Sequence, residues 1–269
     1  DMQLRGAGSL LGTAQKGGGG AAELGVDLYL EILQKAMAWL EQQKELGLDV
    51  SKVDSDQLAA AIGVSGDYEE RSQELYRSGV RTLCIDIAHG HHKMMRDSIG
   101  NLRKMFGDNI SIIAGNVATL EGFEFLADSG ADAIRVGVGG GSICSTRIQT
   151  GHGIPTLQSV IDCSMSDRSA AIIADGGIKN SGDAVKALAA GADFIMLGSV
   201  LSGTDETPGD FLTDSRGDQR KIYRGMASRE AQRSWRNRVS SVEGVSTTVA
   251  AKGKAGKILA DFSWGIKSG

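Results

Sequence analysis

The chain has 269 residues, 41% hydrophobic and 23% charged, a length suited to one large α/β domain of about 250 residues or two smaller ones. Its 38 glycines and 2 prolines show no collagen period and suggest many tight backbone turns. Lys+Arg 29 against Asp+Glu 33 leaves a formal charge of −4, which excludes a broad basic field for nucleic acid and an acidic tail, and points to a small partner.

At the start of the chain nothing reads as a signal peptide. No apolar run approaches the roughly 18 residues that span a bilayer, and Cys84, Cys144 and Cys163 lack metal-type spacing. A soluble protein of the reducing cytoplasm, away from membranes, is expected. Residues 1–57 form an atypical segment without a clear barrel strand. They hold Arg5-Gly6-Ala7-Gly8, a glycine run at 17–20, and a helix pattern over 21–46 with Leu24, Leu28, Ile32, Leu33, Ala36, Trp39 and Leu40 on one face.

From about residue 58 to 200, short apolar runs alternate with helix-patterned stretches, as parallel βα units do. Strands are predicted at 58–64, 82–87, 110–114, 133–138, 171–174 and 194–197, each apolar enough to be covered on both faces. Helices are predicted at 68–78, 93–106, 120–129 and 181–190. A weak repeat precedes three of the strands: Ser78-Gly79-Val80-Arg81, Ser129-Gly130-Ala131-Asp132 and Ala190-Gly191-Ala192-Asp193. In each, glycine can take the left-handed conformation that ends a helix just before the strand begins. Six such units point to a (β/α)8 barrel, incomplete because its first two strands are not identifiable, with a doubly wound open sheet as the alternative. The barrel domain is assigned to 58–269. Its polar stretch 204–240 reads as a long loop within a flap at 204–250, only Ile222-Tyr223 being strand-like, and a final helix is expected near 254–266.

In a parallel barrel the active site forms at the C-terminal ends of the strands. There the sequence places Asp86, His89, Gly90, His91 and His92, then Gly115-Asn116, the glycine-rich stretch 137–144, Asp175-Gly176-Gly177, and Gly198-Ser199. The last two groups sit where backbone N–H groups can face a phosphate, although such glycines can equally serve tight turns. Asp175 suits a ribose diol or a helix cap. Cys144, in a glycine-rich loop, is the nucleophile candidate, whereas Cys84 and Cys163 fit small core positions. The H-G-H-H run lacks the i, i+4 spacing of a zinc pair. Gly137–Gly141 lacks the G-x-G-x-x-G turn of dinucleotide-binding loops.

Taken in order, GVGGGSICSTR (137–147), IIADGGI (172–178), GADFIMLGS (191–199), YRGMAS (223–228) and VEGVS (242–246) resemble the inosine-monophosphate dehydrogenase/guanosine-monophosphate reductase family over about residues 58–269. The resemblance implies a (β/α)8 enzyme in which a cysteine adds to C2 of a purine nucleotide while NAD(P) exchanges hydride. It makes Cys144 the attacking thiolate and Thr146 a group that handles the proton or the leaving ammonia. It assigns the nucleotide to Ser142, Asp175, Gly176, Gly177, Gly198, Ser199, Tyr223, Gly225 and Met226, with Glu243 near the base. The carbonyls of Gly139, Gly141 and Cys144 match a monovalent-cation site, expected to hold K+. Asp86, Asn116 and Arg135 match positions close to the nicotinamide cofactor.

The dehydrogenase hydrolyses its adduct with an Arg-Tyr pair, and 229–240 contains arginines but no tyrosine. The reductase places a glutamate directly after its Met-Ser-Ser run. Here Met226-Ala227-Ser228 is followed by Arg229 and then by Glu230, the third catalytic candidate. The stretch 146–155 is also reductase-like. The expected activity is therefore NADPH-dependent reductive deamination of GMP to IMP, in a homotetramer. The alternatives are NAD-dependent oxidation of IMP to XMP and a nucleotide-binding fragment without turnover. Residues 1–12 and 25–37 separately resemble a short segment of the transcription-repair coupling factor helicase family. The charge balance argues against a nucleic-acid partner.

Overall fold

The protein is described by a computed structural model covering residues 58–236 and 242–268, the side chains of 234–236 excepted. The expectations for 1–57, including the helix at 21–46 and the helicase-like segment, lie outside the described residues.

Six parallel strands form one sheet in strict sequence order: β1 Ala59–Ile62, β2 Thr82–Asp86, β3 Ser111–Val117, β4 Ala133–Val136, β5 Ala171–Asp175 and β6 Phe194–Met196. A doubly wound sheet reverses its strand order at a switch point, and this one does not. The architecture is an incomplete (β/α)8 barrel. The intervening helices are α1 Tyr68–Arg77, α2 Lys93–Phe106, α3 Leu120–Asp128, a short α4 Thr146–Thr150, α5 Thr156–Cys163 and α6 Ser181–Ala189.

Ile85, Ile112, Ile134, Val136 and Ala174 of the strands are buried against Leu75, Met95, Ile99, Leu102, Phe123, Leu126 and Val160 of the helices. Each large side chain so buried contributes about 1.5–3 kcal/mol. The outer strands pair on one side only among the described residues, and Phe194 of β6 is 59% exposed.

Local chemistry sets the helix ends. His92, Thr119 and Asn180 accept the N–H groups of Met94, Gly122 and Asp183, which start α2, α3 and α6. The repeated glycines Gly79, Gly130 and Gly191 have φ of 95°, 101° and 108°. Each closes its helix with paired bonds, such as Gly79 N–H to Tyr76 O and Val80 N–H to Leu75 O. The aspartates of the repeat then tie the start of the next strand to the strand before it. Asp132 Oδ2 accepts Ile112 N–H at 2.6 Å and Asp193 Oδ2 accepts Ile172 N–H at 2.8 Å.

The stretch read as a long loop contains an antiparallel sheet, β7 Phe211–Thr213, β8 Gln219–Arg224 and β9 Ser246–Ala250. Its strands face solvent over most of their length and so lack the apolar runs that mark the barrel strands. Their stability comes from partners far away in sequence. Lys221 is buried, and its Nζ donates to the carbonyls of Thr204, Asp205 and Thr207 at 3.0, 3.1 and 2.6 Å. Asp214 Oδ1 accepts the N–H groups of Arg216 and Asp218 and shapes the turn between β7 and β8. Helix α7 Arg229–Arg236 lies between β8 and β9, and the final helix α8 spans Ala255–Ser268 and packs on α6.

Candidate active site

The glycine-rich loop after β4 lies directly on the loop after β5, and the absence of side chains permits that approach. A Cβ on Gly137 would come 2.0 Å from Asp175 O, and one on Gly176 would come 2.9 Å from Gly140 C. Gly137, Gly139, Gly176 and Gly177 have φ of 140°, 79°, 94° and 84°. The variant Gly137→Ala therefore combines a steric clash with backbone strain. It is expected to lose about 3 kcal/mol or more of stability, read from the shift of the urea midpoint at unchanged slope.

Three short segments stack around the cysteine. Val245 N–H donates to Ile143 O at 3.1 Å, and Ser145 N–H to Glu243 O at 2.8 Å. On the other side Gly225 N–H reaches Val245 O and Glu243 N–H reaches Ala227 O, at 3.1 and 3.2 Å. Cys144 in this stack is half-buried. Its Sγ lies 3.1 Å from Thr146 Oγ1, which in turn donates to Glu243 Oε2 at 2.9 Å. The thiol, hydroxyl and carboxylate form one row along which a proton can move. Ser142 Oγ and Tyr223 OH are 3.2 Å apart, and a Cβ on Gly198 would approach the same phenol within 4.0 Å. Ser142, Tyr223 and Gly198, each expected to hold the nucleotide, thus meet. Met226 is half-buried in the adjoining segment.

A second cluster ties the ends of β2 to β5 together. Arg135, 5% exposed, bonds Asp86 Oδ1 at 2.8 Å and Asp175 Oδ2 at 2.7 Å. Asn116 Nδ2 also reaches Asp175 Oδ2 at 2.8 Å, and it donates to Gly137 O. Burial alone would press the Arg135 guanidinium toward neutrality, but the Asp86 and Asp175 carboxylates hold it charged, above the ordinary arginine range. This cluster joins Asp175, expected at the ribose, to the three residues expected at the cofactor. Asn116 and Arg135 turn inward to the carboxylates, and the Asp86 side chain, 30% accessible, presents the solvent-facing edge. Arg135 and Asn116 hold the Asp175 carboxylate in place, and Arg135 also holds that of Asp86.

The remaining expected positions are more dispersed. Glu230 is exposed in the first turn of α7. Among the described residues, the carboxylate that reaches the cysteine row is that of Glu243. Ser199 O accepts Lys252 Nζ at 2.9 Å. His92 caps α2, His91 packs on Phe125, and burial, followed by the charges of His91, His92 and His152, lowers His89 from the ordinary histidine range. No group of three His, Cys, Asp or Glu residues among the described residues is arranged to hold a metal.

Two of the three expected cation carbonyls accept hydrogen bonds from within the loop. Gly139 O accepts Arg147 Nε at 2.6 Å, and Gly141 O accepts Cys144 N–H at 3.1 Å. Sequence reading overlooked Arg147, as well as Lys221 and Lys252. The signal for Arg147 was its place between Gly139 and Gly153, both of which lie against its side chain.

Comparison with known proteins places this arrangement. Residues 40–269 match the family described as the IMP dehydrogenase / GMP reductase domain. An inosine-5'-monophosphate dehydrogenase of Nitrosopumilus maritimus is 45% identical over 226 residues, covering 79% of this chain and 47% of that protein. One of Staphylococcus saprophyticus is 43% identical over 225 residues, covering 79% and 46%. Among solved structures, a cysteine-to-alanine variant of GMP reductase from Trypanosoma brucei, in complex with guanosine 5'-monophosphate, superposes with a TM-score of 0.75. It is 41% identical, over 78% of this chain and 45% of that one. The chain spans about half the length of the curated relatives it matches. No helix among the described residues is long and apolar enough to cross a membrane.

Proposed function

The chain belongs to the IMP dehydrogenase/GMP reductase family of oxidoreductases, and we propose that it reduces GMP to IMP with NADPH through a covalent bond between Cys144 and purine C2. The observation that carries this reading is the row Cys144, Thr146, Glu243, with links of 3.1 and 2.9 Å. As the sulfur bonds to C2, the thiol proton passes to Thr146 Oγ1 while Thr146 gives its own to the Glu243 carboxylate. The proton returns by the same route to the 2-amino nitrogen, the C2–N bond breaks, and ammonia leaves a thioimidate on Cys144. When bound, the reduced dinucleotide supplies the hydride that takes the place of the amine at C2. The C2–S bond then breaks, IMP departs, and the Cys144 thiolate takes a proton from solvent. The sum is GMP, NADPH and one proton giving IMP, ammonia and NADP⁺.

In this reading Ser142, Tyr223 and the amides at Gly177, Gly198 and Ser199 hold the phosphate, and Asp175 the ribose. The dehydrogenases at 45% and 43% identity favour a second reading, oxidation of IMP to XMP with NAD on the same cysteine. Incubation with GMP and NADPH, followed by loss of reduced-cofactor absorbance and release of ammonia, separates the two. Turnover of IMP with NAD, and none of GMP, replaces the first reading by the second. Inertness toward both pairs leaves a nucleotide-binding fragment.

Glu243→Gln removes the carboxylate that accepts the thiol proton and is expected to lower kcat by about 10²–10⁴-fold. Thr146→Val, which interrupts the row one atom earlier, is expected to match it. Equal rates in either variant and the parent, measured under saturating nucleotide, would sink the relay.

A further inference from the structure

We propose that Arg147 is the resident cation of the cysteine loop, serving the Gly139 carbonyl in the way the family resemblance assigns to a bound potassium ion. The proposal rests on the nucleotide reading above for the importance of Cys144 but concerns how the loop is held. The Arg147 Nε donates to Gly139 O at 2.6 Å, a short charge-assisted bond. That carbonyl already faces a full positive charge, and a second cation beside it would be repelled.

Arg147 is exposed, and its stem lies close against two glycines. A Cβ on Gly139 would come 2.7 Å from Arg147 Cγ, and one on Gly153 would come 2.5 Å from the same atom. Both glycines hold positive φ, 79° and 155°. The backbone of Arg147 is anchored as well, since its carbonyl accepts Gly151 N–H at 3.1 Å where α4 ends in a left-handed residue. The covalent chain thus delivers the guanidinium to the loop at a high effective concentration. An arginine stays charged at every working pH. It touches neither the sulfur nor a nucleotide atom in this account and acts as a positioning residue, pinning the start of the loop that ends at Cys144.

The test compares the parent protein with Arg147→Met, which keeps an unbranched stem beside the two glycines but removes the donor and the charge. Iodoacetamide alkylation of Cys144 is followed by peptide mass spectrometry in potassium chloride and in tetramethylammonium chloride at equal ionic strength. Buried Cys84 and Cys163 serve as internal references. The parent is expected to react at one rate in both salts. The variant is expected to differ from it by about tenfold in tetramethylammonium and to return toward the parent rate in potassium. A potassium-dependent parent rate, or a variant rate that potassium does not move, overturns the proposal. The parent comparison stands by itself should Arg147→Met fail to fold. GMP added to the parent reaction tests the separate nucleotide reading. Protection of Cys144 supports that reading, and its absence overturns that reading without altering the salt comparison.

Discussion

Cys144→Ala is expected to lower turnover by roughly 10⁴-fold or more while leaving nucleotide affinity within about threefold. The loss is large because no neighbouring group can replace a sulfur that must bond to C2, and the hydroxyl of Thr146 is a far poorer nucleophile. Nor can the other two cysteines substitute. Cys84 is buried in β2 beside Arg135, and Cys163 is fully buried in α5, its thiol pushed up to about 12 by burial. The affinity survives because the phosphate and ribose contacts in the proposed site come from other residues, all but Ser142 on other segments of the chain. Intact mass after acid quench provides the direct measure, since the parent should carry a purine nucleotide on Cys144 during turnover and the variant none. A variant that retains turnover would end the covalent mechanism. Its melting temperature should stay close to the parent value, because the half-buried side chain contributes little to the core.

Arg135→Met is expected to be the most destabilising charge substitution in the described residues, at about 3–5 kcal/mol. The guanidinium is 5% exposed and contacts two carboxylates, Asp86 and Asp175, whose side chains are 30% and 19% accessible. Methionine fills similar space but leaves two acids facing one another without compensation, at the ends of strands that must lie side by side. Urea denaturation of the single variant, and of Arg135→Met with Asp175→Asn, measures the effect. The second substitution should recover part of the loss, since it removes one of the two stranded charges. A single-variant loss below about 1 kcal/mol would show that water already solvates the cluster. Under the proposed function, which gives Asp175 the ribose, nucleotide affinity should fall too, because Arg135 and Asn116 together fix its carboxylate.

The six barrel strands were legible because each is a short apolar run covered on both faces, as AIRV and AIIA are, and because Gly79, Gly130 and Gly191 end the preceding helices in the only way that keeps backbone strain low. The hairpin of β7 and β8 escaped notice for the opposite reason. Strands such as QRKIYR present polar residues to solvent on both sides, and their pairing depends on Lys221 reaching carbonyls 14 to 17 residues away. Arg135 stood within an apolar run with no sign of its partners. Glu243 was expected near the base, but its bond to Thr146 was not foreseen.

The amino-acid order by itself determined the βα alternation, the turns and the placement of a cysteine in a glycine-rich loop at a strand end. These follow from the periodicity and stereochemistry of neighbours along the chain. Only the tertiary structure decided which groups that cysteine meets. Thr146 and Glu243 are 97 positions apart, and Arg135 and Asp175 are 40 apart. The first pair exists because separate loops pack on one another and the second because β4 pairs with β5, and both contacts are properties of packed backbones in three dimensions.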